Sequence, residues 1–120
     1  MESLKRSFAK LADSDKNIVL EGIKEIEAYL PKLKGKKYKE ALESLASLFY
    51  IDTFENPELQ EVIDRTFEVY KKSKSRAIPF LLSYTRESDI KFQLNIARAL
   101  GKIGKPAINP ILLKLRRSKD

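Results

Sequence analysis

The residues that most directly suggest chemistry are ten basic side chains, which fall in three groups along the chain. They belong to an excess of 24 Lys and Arg over 17 Asp and Glu, which gives a formal net charge of +7. A basic surface attracts phosphates, acidic proteins or anionic lipids, and charge alone does not choose among them. The three groups are Lys34, Lys36, Lys37 and Lys39; Lys71, Lys72, Lys74 and Arg76; and Lys102 and Lys105.

The sequence contains few residues that are suited to catalysis or metal binding. The chain has no His and no Cys, so it lacks the commonest general base and the thiolate nucleophile. No serine lies in a G-x-S-x-G motif, and residues 101–105 do not form a phosphate loop. Glu21 with Glu25, and Glu61 with Asp64, are helical neighbours of the kind that pair with surface Lys or Arg. We therefore expect no catalytic residue, no metal ligand and no cofactor.

The elements that must position the basic groups are helices. Apolar residues recur three and four positions apart nearly throughout, as in Val19, Ile23 and Ile26, which predicts an all-α protein. No apolar run approaches the roughly 20 residues that span a bilayer. The first residues lack the apolar segment of a secretory signal. We therefore expect a cytoplasmic protein without membrane association.

About seven helices are predicted from this periodicity and from capping residues. The Asp13–Asp15 stretch caps the second helix, Pro31 ends it near Leu30, and Asn56 caps the fourth with Pro57 behind it. The helices cover about residues 2–12, the stretch from the Asp13–Asp15 cap to Leu30, 37–51, 57–72, a helix from Ser75, 89–101, and a helix from Pro106.

The sixth predicted helix has an unusual end and an unusually broad apolar face. Asp89 opens it, and either Gly101 or Gly104 closes it in the left-handed conformation that glycine adopts without strain. Its apolar residues occupy more than one stripe, which predicts a helix covered on more than one side. The backbone amides after Gly104 offer an anion site beside Lys102 and Lys105, although ordinary helix punctuation explains the same residues.

An internal repeat links the last helices. The sequences AIPFLL and AINPILL begin 30 residues apart, at Ala77 and Ala107, and helix pairs at such a period are typical of α-solenoids. Residues 77–117 resemble HEAT-like repeats of the phycobilisome-lyase type, in which a helix ends in A-L-G-x-I-G and a proline-led helix follows. The matching residues are Ala99, Leu100, Gly101, Ile103, Gly104 and Pro106.

The resemblance implies a right-handed α-solenoid, an armadillo-like superhelix of helices in antiparallel pairs. It implies one repeat domain over residues 1–120, with divergent pairs in 1–74 and a HEAT-like repeat pair in 75–117. The second and third, fourth and fifth, and sixth and seventh helices would pair, behind a capping first helix. The proline-led helix of each pair would line the concave face. Such repeats serve scaffolds, adaptors and nucleic-acid binders, so the resemblance implies no lyase activity.

The charges sort by edge in such an array, because successive loops of antiparallel helices alternate between two edges. The three basic groups fall after the second, fourth and sixth helices, and acidic groups fall after the first, third and fifth. Helix dipoles do not predict this sorting, since every loop joins one C-terminus to one N-terminus. The acidic groups are Asp13 and Asp15; Asp52, Glu55 and Glu58; and Glu87 and Asp89, beside a single Arg86.

Three functions are compatible with these features. The first is a non-enzymatic scaffold or adaptor that binds another protein. The alternative is nucleic-acid binding, in which the ten basic residues meet phosphates along the edge and concave face. The third is a glycosylase-like enzyme, which needs a buried carboxylate with a perturbed pKa. Association of the basic edge of one copy with the acidic edge of another is a further expectation, and the oligomeric state stays open.

Overall fold

A computed structural model describes residues 2–84 and 89–104, without the side chains of Glu2, Lys74 and Ser75. This part of the chain is all-helical and contains no strand. Its six α-helices are α1 Glu2–Lys10, α2 Lys16–Tyr29, α3 Gly35–Ala46, α4 Gln60–Ser73, α5 Ile78–Leu82 and α6 Ile90–Ile103. Short 3-10 segments cover Leu30–Lys32, Ser47–Tyr50, Pro57–Leu59 and Lys74–Ala77. The predicted seventh helix and Lys105 lie outside the described residues.

The chain consists of two compact units, residues 1–66 and 67–120, and their boundary falls within α4. The all-α class predicted from the sequence is confirmed for the described residues. The solenoid arrangement, the antiparallel pairing and the single repeat domain stay predictions.

The second helix starts and stops where local chemistry predicts. The Asp15 carboxylate accepts a hydrogen bond of 2.8 Å from the backbone N–H of Asn17, which satisfies one of the free donors of the first turn. At the other end, α2 stops at Tyr29 and a 3-10 turn with Pro31 follows. Leu30, before the proline, keeps the α conformation at φ −49° and ψ −45°, and the chain becomes extended only at Leu33. Pro31 has no backbone N–H to donate to the carbonyl four residues back, so the α-helical hydrogen bonding stops here.

The first two helices pack closely because α2 carries a glycine on the packed face. A Cβ atom on Gly22 would lie 2.8 Å from Lys10 Cβ and 3.0 Å from the Ser7 carbonyl oxygen. Real side chains essentially never approach that closely, so the contact between α1 and α2 needs Gly22. The first helix, predicted as a capping helix, is thus tightly packed against α2 in the first unit.

The remaining core of the first unit comes from α3 and the segments around it. Tyr38, Ala41, Leu42 and Leu45 of α3 are buried, as their spacing predicts. The helix was predicted over 37–51, but its α-helical part ends at Ala46. The following 3-10 segment keeps Leu48 and Phe49 buried. A tighter turn therefore continues the apolar face beyond the α-helix.

The predicted cap of the fourth helix is wrong in detail. A 3-10 turn, Pro57–Leu59, comes first, and α4 begins at Gln60. The Asn56 side chain makes no cap and instead donates to the Asp52 carbonyl oxygen at 3.3 Å. The Asp52 carboxylate accepts from the backbone N–H of Phe54 at 2.9 Å. This turn after Asp52 uses the asparagine that would otherwise have capped the helix.

Aromatic side chains pack against one another in the second unit. The Tyr70 and Phe80 rings stack with centroids 6.5 Å apart, and Tyr84 meets Phe80 and Phe92 edge to face at 5.0 Å each. Such pairs stabilise beyond the area they bury. The Gln93 side-chain amide also donates to the Tyr84 carbonyl oxygen at 3.2 Å. These contacts hold α5 and α6 together.

The sixth helix begins on Asp89 and ends on the second of its two glycines. The Asp89 carboxylate accepts from the Phe92 backbone N–H at 3.0 Å. Gly104 has φ of 81°, which only glycine adopts readily, and its N–H donates to the Leu100 carbonyl oxygen at 3.3 Å. Gly101 is therefore an ordinary helical residue, and Gly104 is the end of α6.

Candidate binding surfaces

The first predicted basic group lies around the start of α3. Lys34, Lys36, Lys37 and Lys39 are all exposed. Lys34 precedes the helix without a side-chain cap, and the first turn contains no acidic residue. Of these four lysines, Lys37 is the one that reaches ion-pair distance of a carboxylate within the described residues, at 3.9 Å from Glu40. Lys34, Lys36 and Lys37 thus lie at the positive end of a helix dipole, where cations are unfavourable, and Lys39 follows in the second turn.

The basic residues of the second unit have a different local setting. Lys71 and Lys72 lie in the last turn of α4, and Lys102 lies in the last turn of α6. Cations at these positions complement the negative end of the helix dipole. Helix dipoles therefore favour these three lysines where they lie, and the sorting of charges between two edges stays a prediction. Arg76 is exposed in the 3-10 segment Lys74–Ala77, and the Lys74 side chain lies outside the described residues.

The acidic groups are also explained in part by local hydrogen bonding. Asp15 and Asp89 cap helices, and Asp13 accepts from the Asp15 backbone N–H at 2.8 Å. Asp52 accepts from the turn that follows it. Short carboxylates at helix starts and turns are favoured for this reason in any helical protein. Among the loop charges, the lysines at the start of α3 are those that local structure opposes.

The candidate carboxylates are engaged in ion pairs and hydrogen bonds. Glu25 lies 2.6 Å from Lys10 Nζ and accepts from the buried Ser7 hydroxyl at 2.7 Å, and Glu21 lies 3.3 Å from the same ammonium. These contacts join α1 to α2. The Lys10 hydrogen bond, with the Ser7 bond behind it, holds the pKa of Glu25 below its usual value, and the bond to Glu25 raises the pKa of Lys10.

The second carboxylate pair is likewise occupied. Glu61 forms an ion pair of 3.0 Å with Lys16, and Asp64 accepts from the Gln60 side-chain amide at 2.9 Å. Charged side chains at such distances on helix surfaces normally stabilise the fold weakly. Within residues 2–84 and 89–104, no group of three or more carboxylates is arranged to hold a metal ion.

The surface that sequence reasoning missed is the outer side of α6. Ile90 is 75% exposed and Leu94 is 52% exposed. Ala97 and Gly101 are exposed as well, one and two turns further along. These four residues, Ile90, Leu94, Ala97 and Gly101, form a line that we call the α6 stripe. Cover on a second side of α6, predicted from its broad apolar face, is absent in the part of the chain that the structure describes.

A helical projection of α6 could have revealed the stripe. At about 100° per residue, its four members fall within an arc of about 60°, well separated from the buried side. The buried side consists of Phe92, Asn95, Ile96, Ala99 and Leu100. The sequence shows two apolar faces, but only tertiary packing decides which of them is covered.

Comparisons with known proteins give no relative for this chain. No family model, no curated protein and no solved structure matches it. The resemblance to HEAT-like repeats therefore stays a prediction. Among the described helices, none is long and apolar enough to cross a membrane.

Proposed function

We propose that the protein is a non-enzymatic interaction module that binds another protein through the α6 stripe. The observation that carries this proposal is the alignment of Ile90 and Leu94 with Ala97 and Gly101 on one exposed side of a capped helix. Single exposed apolar residues are normal on protein surfaces. A contiguous line of them at helical spacing is typical of an interaction site, because binding removes the whole line from water at once.

The wider setting of this module is also part of the proposal. An α-solenoid of HEAT-like pairs would present α6 as one of several parallel helices, a geometry suited to elongated partners. We propose a cytoplasmic scaffold or adaptor with no cofactor.

Cross-linking from a single engineered cysteine tests this function, because the chain has no natural cysteine. A photoreactive group is attached through Leu94→Cys, and the protein is exposed to extract from the source cells. The matched control carries the group through Phe54→Cys, since Phe54 is 96% exposed but lies outside α6. A protein captured only from position 94 is then purified. Its affinity for the chain should fall at least about tenfold with Leu94→Ser.

Two results would exclude this function. One is capture of the same proteins from positions 54 and 94. The other is a purified partner whose dissociation constant is unchanged by Leu94→Ser. Circular dichroism of each variant shows whether the helices are retained.

Nucleic-acid binding is the second candidate, and the start of α3 is the observation that favours it. Three of its four lysines lie where the helix dipole disfavours cations, and a bound phosphate would offset their positive charge. Lys71, Lys72 and Lys102 support this candidate less, because the ends of α4 and α6 already explain them. Lys105 and the Lys74 side chain, which lie outside the described residues, belong to this candidate only as predictions.

Fluorescence anisotropy with labelled duplex and single-stranded DNA and RNA, at about 50 and about 200 mM salt, tests this candidate. Binding through phosphates weakens steeply over that range. The triple change Lys36→Glu, Lys72→Glu and Lys102→Glu should abolish it. The double change Lys36→Glu with Lys39→Glu should weaken it more than Lys72→Glu with Lys102→Glu. Absence of binding at the lower salt concentration excludes the candidate.

A further inference from the structure

The exposed surface of α6 has two parallel parts. Beside the α6 stripe lie three exposed cations, which we call the α6 cation row. At about 100° per residue, the row occupies an arc of about 40° whose centre lies about 90° from that of the stripe. The helix contains no acidic residue, and no described carboxylate forms an ion pair with the row. The members of the row are Lys91, Arg98 and Lys102.

We infer that α6 binds an acidic amphipathic helix of a partner protein, which lies along the α6 stripe with its carboxylates on the side of the cation row. This inference rests on the proposed function and names the chemistry of the partner. The apolar stripe supplies the area to be covered, and the one-sided row supplies orientation. Complementary charge fixes register and accelerates encounter more than it adds affinity.

The shape of the stripe fits a helix better than a loop. It runs straight along the axis over 12 residues, from Ile90 to Gly101, a rise of about 16 Å. Its large side chains lie at the start of α6, and its small residues, Ala97 and Gly101, lie one turn apart near the end. A Cβ atom on Gly101 would meet nothing within 4 Å, so the fold itself does not require glycine there. Small residues four apart allow a second helix backbone to approach closely.

The charges of this chain disfavour binding of its own residues, or of a second copy, over the α6 stripe. Residues 105–120, which lie outside the described residues, carry five Lys or Arg and one Asp. A second copy laid antiparallel along α6, stripe against stripe, would place one cation row beside the other. Like charges across an interface are unfavourable, so an acidic partner is the occupant that the row selects.

Designed peptides of about 18 residues test the inference on the full-length chain. The first peptide is helical, with Leu along one face and Glu beside it, and the second replaces every Glu with Lys. Anisotropy of the labelled peptides gives both dissociation constants. The acidic peptide should bind at least about tenfold more tightly than the basic one in low salt, and the difference should shrink at high salt.

Matched charge reversals separate the cation row from net charge. Lys91→Glu, Arg98→Glu and Lys102→Glu together should reverse the preference, so that the basic peptide binds more tightly. Lys5→Glu, Arg6→Glu and Lys24→Glu lower the net charge by the same amount at exposed positions outside α6. This control should retain the preference for the acidic peptide. Equal loss of preference in both triple variants would overturn the inference, since net charge would then explain it.

The outcomes distinguish the inference from the function on which it rests. Equal binding of both peptides, sensitive to Leu94→Ser, overturns the acidic partner and leaves protein binding through the stripe. Failure of both peptides to bind overturns the helical partner, while cross-linking from position 94 still decides the proposed function.

Thiol reactivity of the Leu94→Cys variant tests the other occupants. The thiol should react about as fast as that of Phe54→Cys at every protein concentration. Protection at all concentrations means that the chain covers its own stripe, and protection that grows with concentration means that a second copy does. Either result overturns the inference.

Discussion

The helices α2 and α6 are built alike, but α2 exposes mainly polar residues and α6 exposes a line of apolar ones. Each has 14 residues and begins on an aspartate that accepts a backbone N–H. The exposed residues of α2 are Asn17, Glu21, Lys24 and Ala28, and the same spacing of four, three and four gives the α6 stripe. A surface helix of this length therefore needs no exposed apolar line in order to fold, and the stripe of α6 calls for a role outside folding.

The glycines of the two helices show the same contrast. Gly22 lies on the packed side of α2, where a Cβ atom would collide with α1. Gly101 lies on the exposed side of α6, where a Cβ atom would meet open space. The first glycine is explained by packing within the first unit, and the second is not explained by packing among the described residues.

The largest effect is expected from filling the packed glycine. Gly22→Val should lower the free energy of unfolding by about 2–3 kcal/mol, because the added methyl groups must force α1 and α2 apart. Chemical denaturation monitored by circular dichroism measures the loss of unfolding free energy. The matched change Gly101→Val should alter stability by about 0.5 kcal/mol or less, as surface substitutions usually do. Similar losses at both glycines would show that α6 is packed on both sides after all.

The next effect comes from giving α6 the exposed residues of α2. Ile90→Asn with Leu94→Glu should weaken binding of the acidic peptide at least about tenfold, which corresponds to about 1.4 kcal/mol. The melting temperature should stay within a few degrees of the wild-type value, because both positions are exposed.

The reverse exchange is the control for that experiment. Asn17→Ile, Glu21→Leu and Lys24→Ala together place an apolar line on α2, next to the carboxylates Glu25 and Glu27 rather than a cation row. This variant should not gain affinity for the acidic peptide. A gain equal to that lost from α6 would mean that any exposed apolar line binds the peptide.

The capping aspartates test whether the two helices really are equivalent in construction. Asp15→Ala and Asp89→Ala should each cost about 1 kcal/mol of stability, because each removes the acceptor of a first-turn N–H. Asn in place of either Asp retains an acceptor and should cost much less. Thermal unfolding of the four variants gives the comparison. A loss confined to one aspartate would show that the other cap contributes nothing to stability.

Local signals in the sequence predicted much of this fold. Asp15 and Asp89 as caps, Pro31 as a stop and the buried stripes of α2 and α3 each depend on neighbours within one or two turns. The two glycines of α6 carry the same local signal, and the choice of Gly104 depends on where the last helical hydrogen bond forms. The start of α4 was misplaced because the turn after Asp52 takes up Asn56, a competition that spacing alone does not show.

The candidate site was harder to predict for a physical reason. The charged residues are evident in the sequence. Several of them act as helix caps or complement helix dipoles, and these roles can be recognised only once the exact ends of the helices are known. The α6 stripe was hidden in an apolar pattern that also fits a helix buried on two sides. Exposure depends on which elements pack against Ile90 and Leu94, and that information lies in the tertiary structure.

The change Gly101→Ala should have a smaller effect on stability than the loss of a cap, and it should stabilise the free protein rather than destabilise it. Alanine is the better helix former, so the change should stabilise the free protein by about 0.5–1 kcal/mol. It should also weaken binding of the acidic peptide about two- to threefold, because a methyl group would meet the partner backbone. Thermal unfolding and peptide titration of the same variant give both numbers. Stabilisation without weaker binding would show that the partner does not approach α6 at this residue.

The smallest effect concerns the ion pairs that join α1 to α2. The Lys10 ammonium and the Ser7 hydroxyl lower the pKa of Glu25 in the folded state. The stability that Glu25 contributes is therefore present above its unfolded pKa and is lost as pH falls through the folded value. Glu25→Gln should therefore melt slightly below the wild type at neutral pH, and the difference should vanish in acid. The α6 cation row has no such carboxylate among the described residues, so Lys91→Gln should leave the pH dependence of melting unchanged. An equal acid-sensitive loss for Lys91→Gln would mean that the row already has a carboxylate partner within this chain.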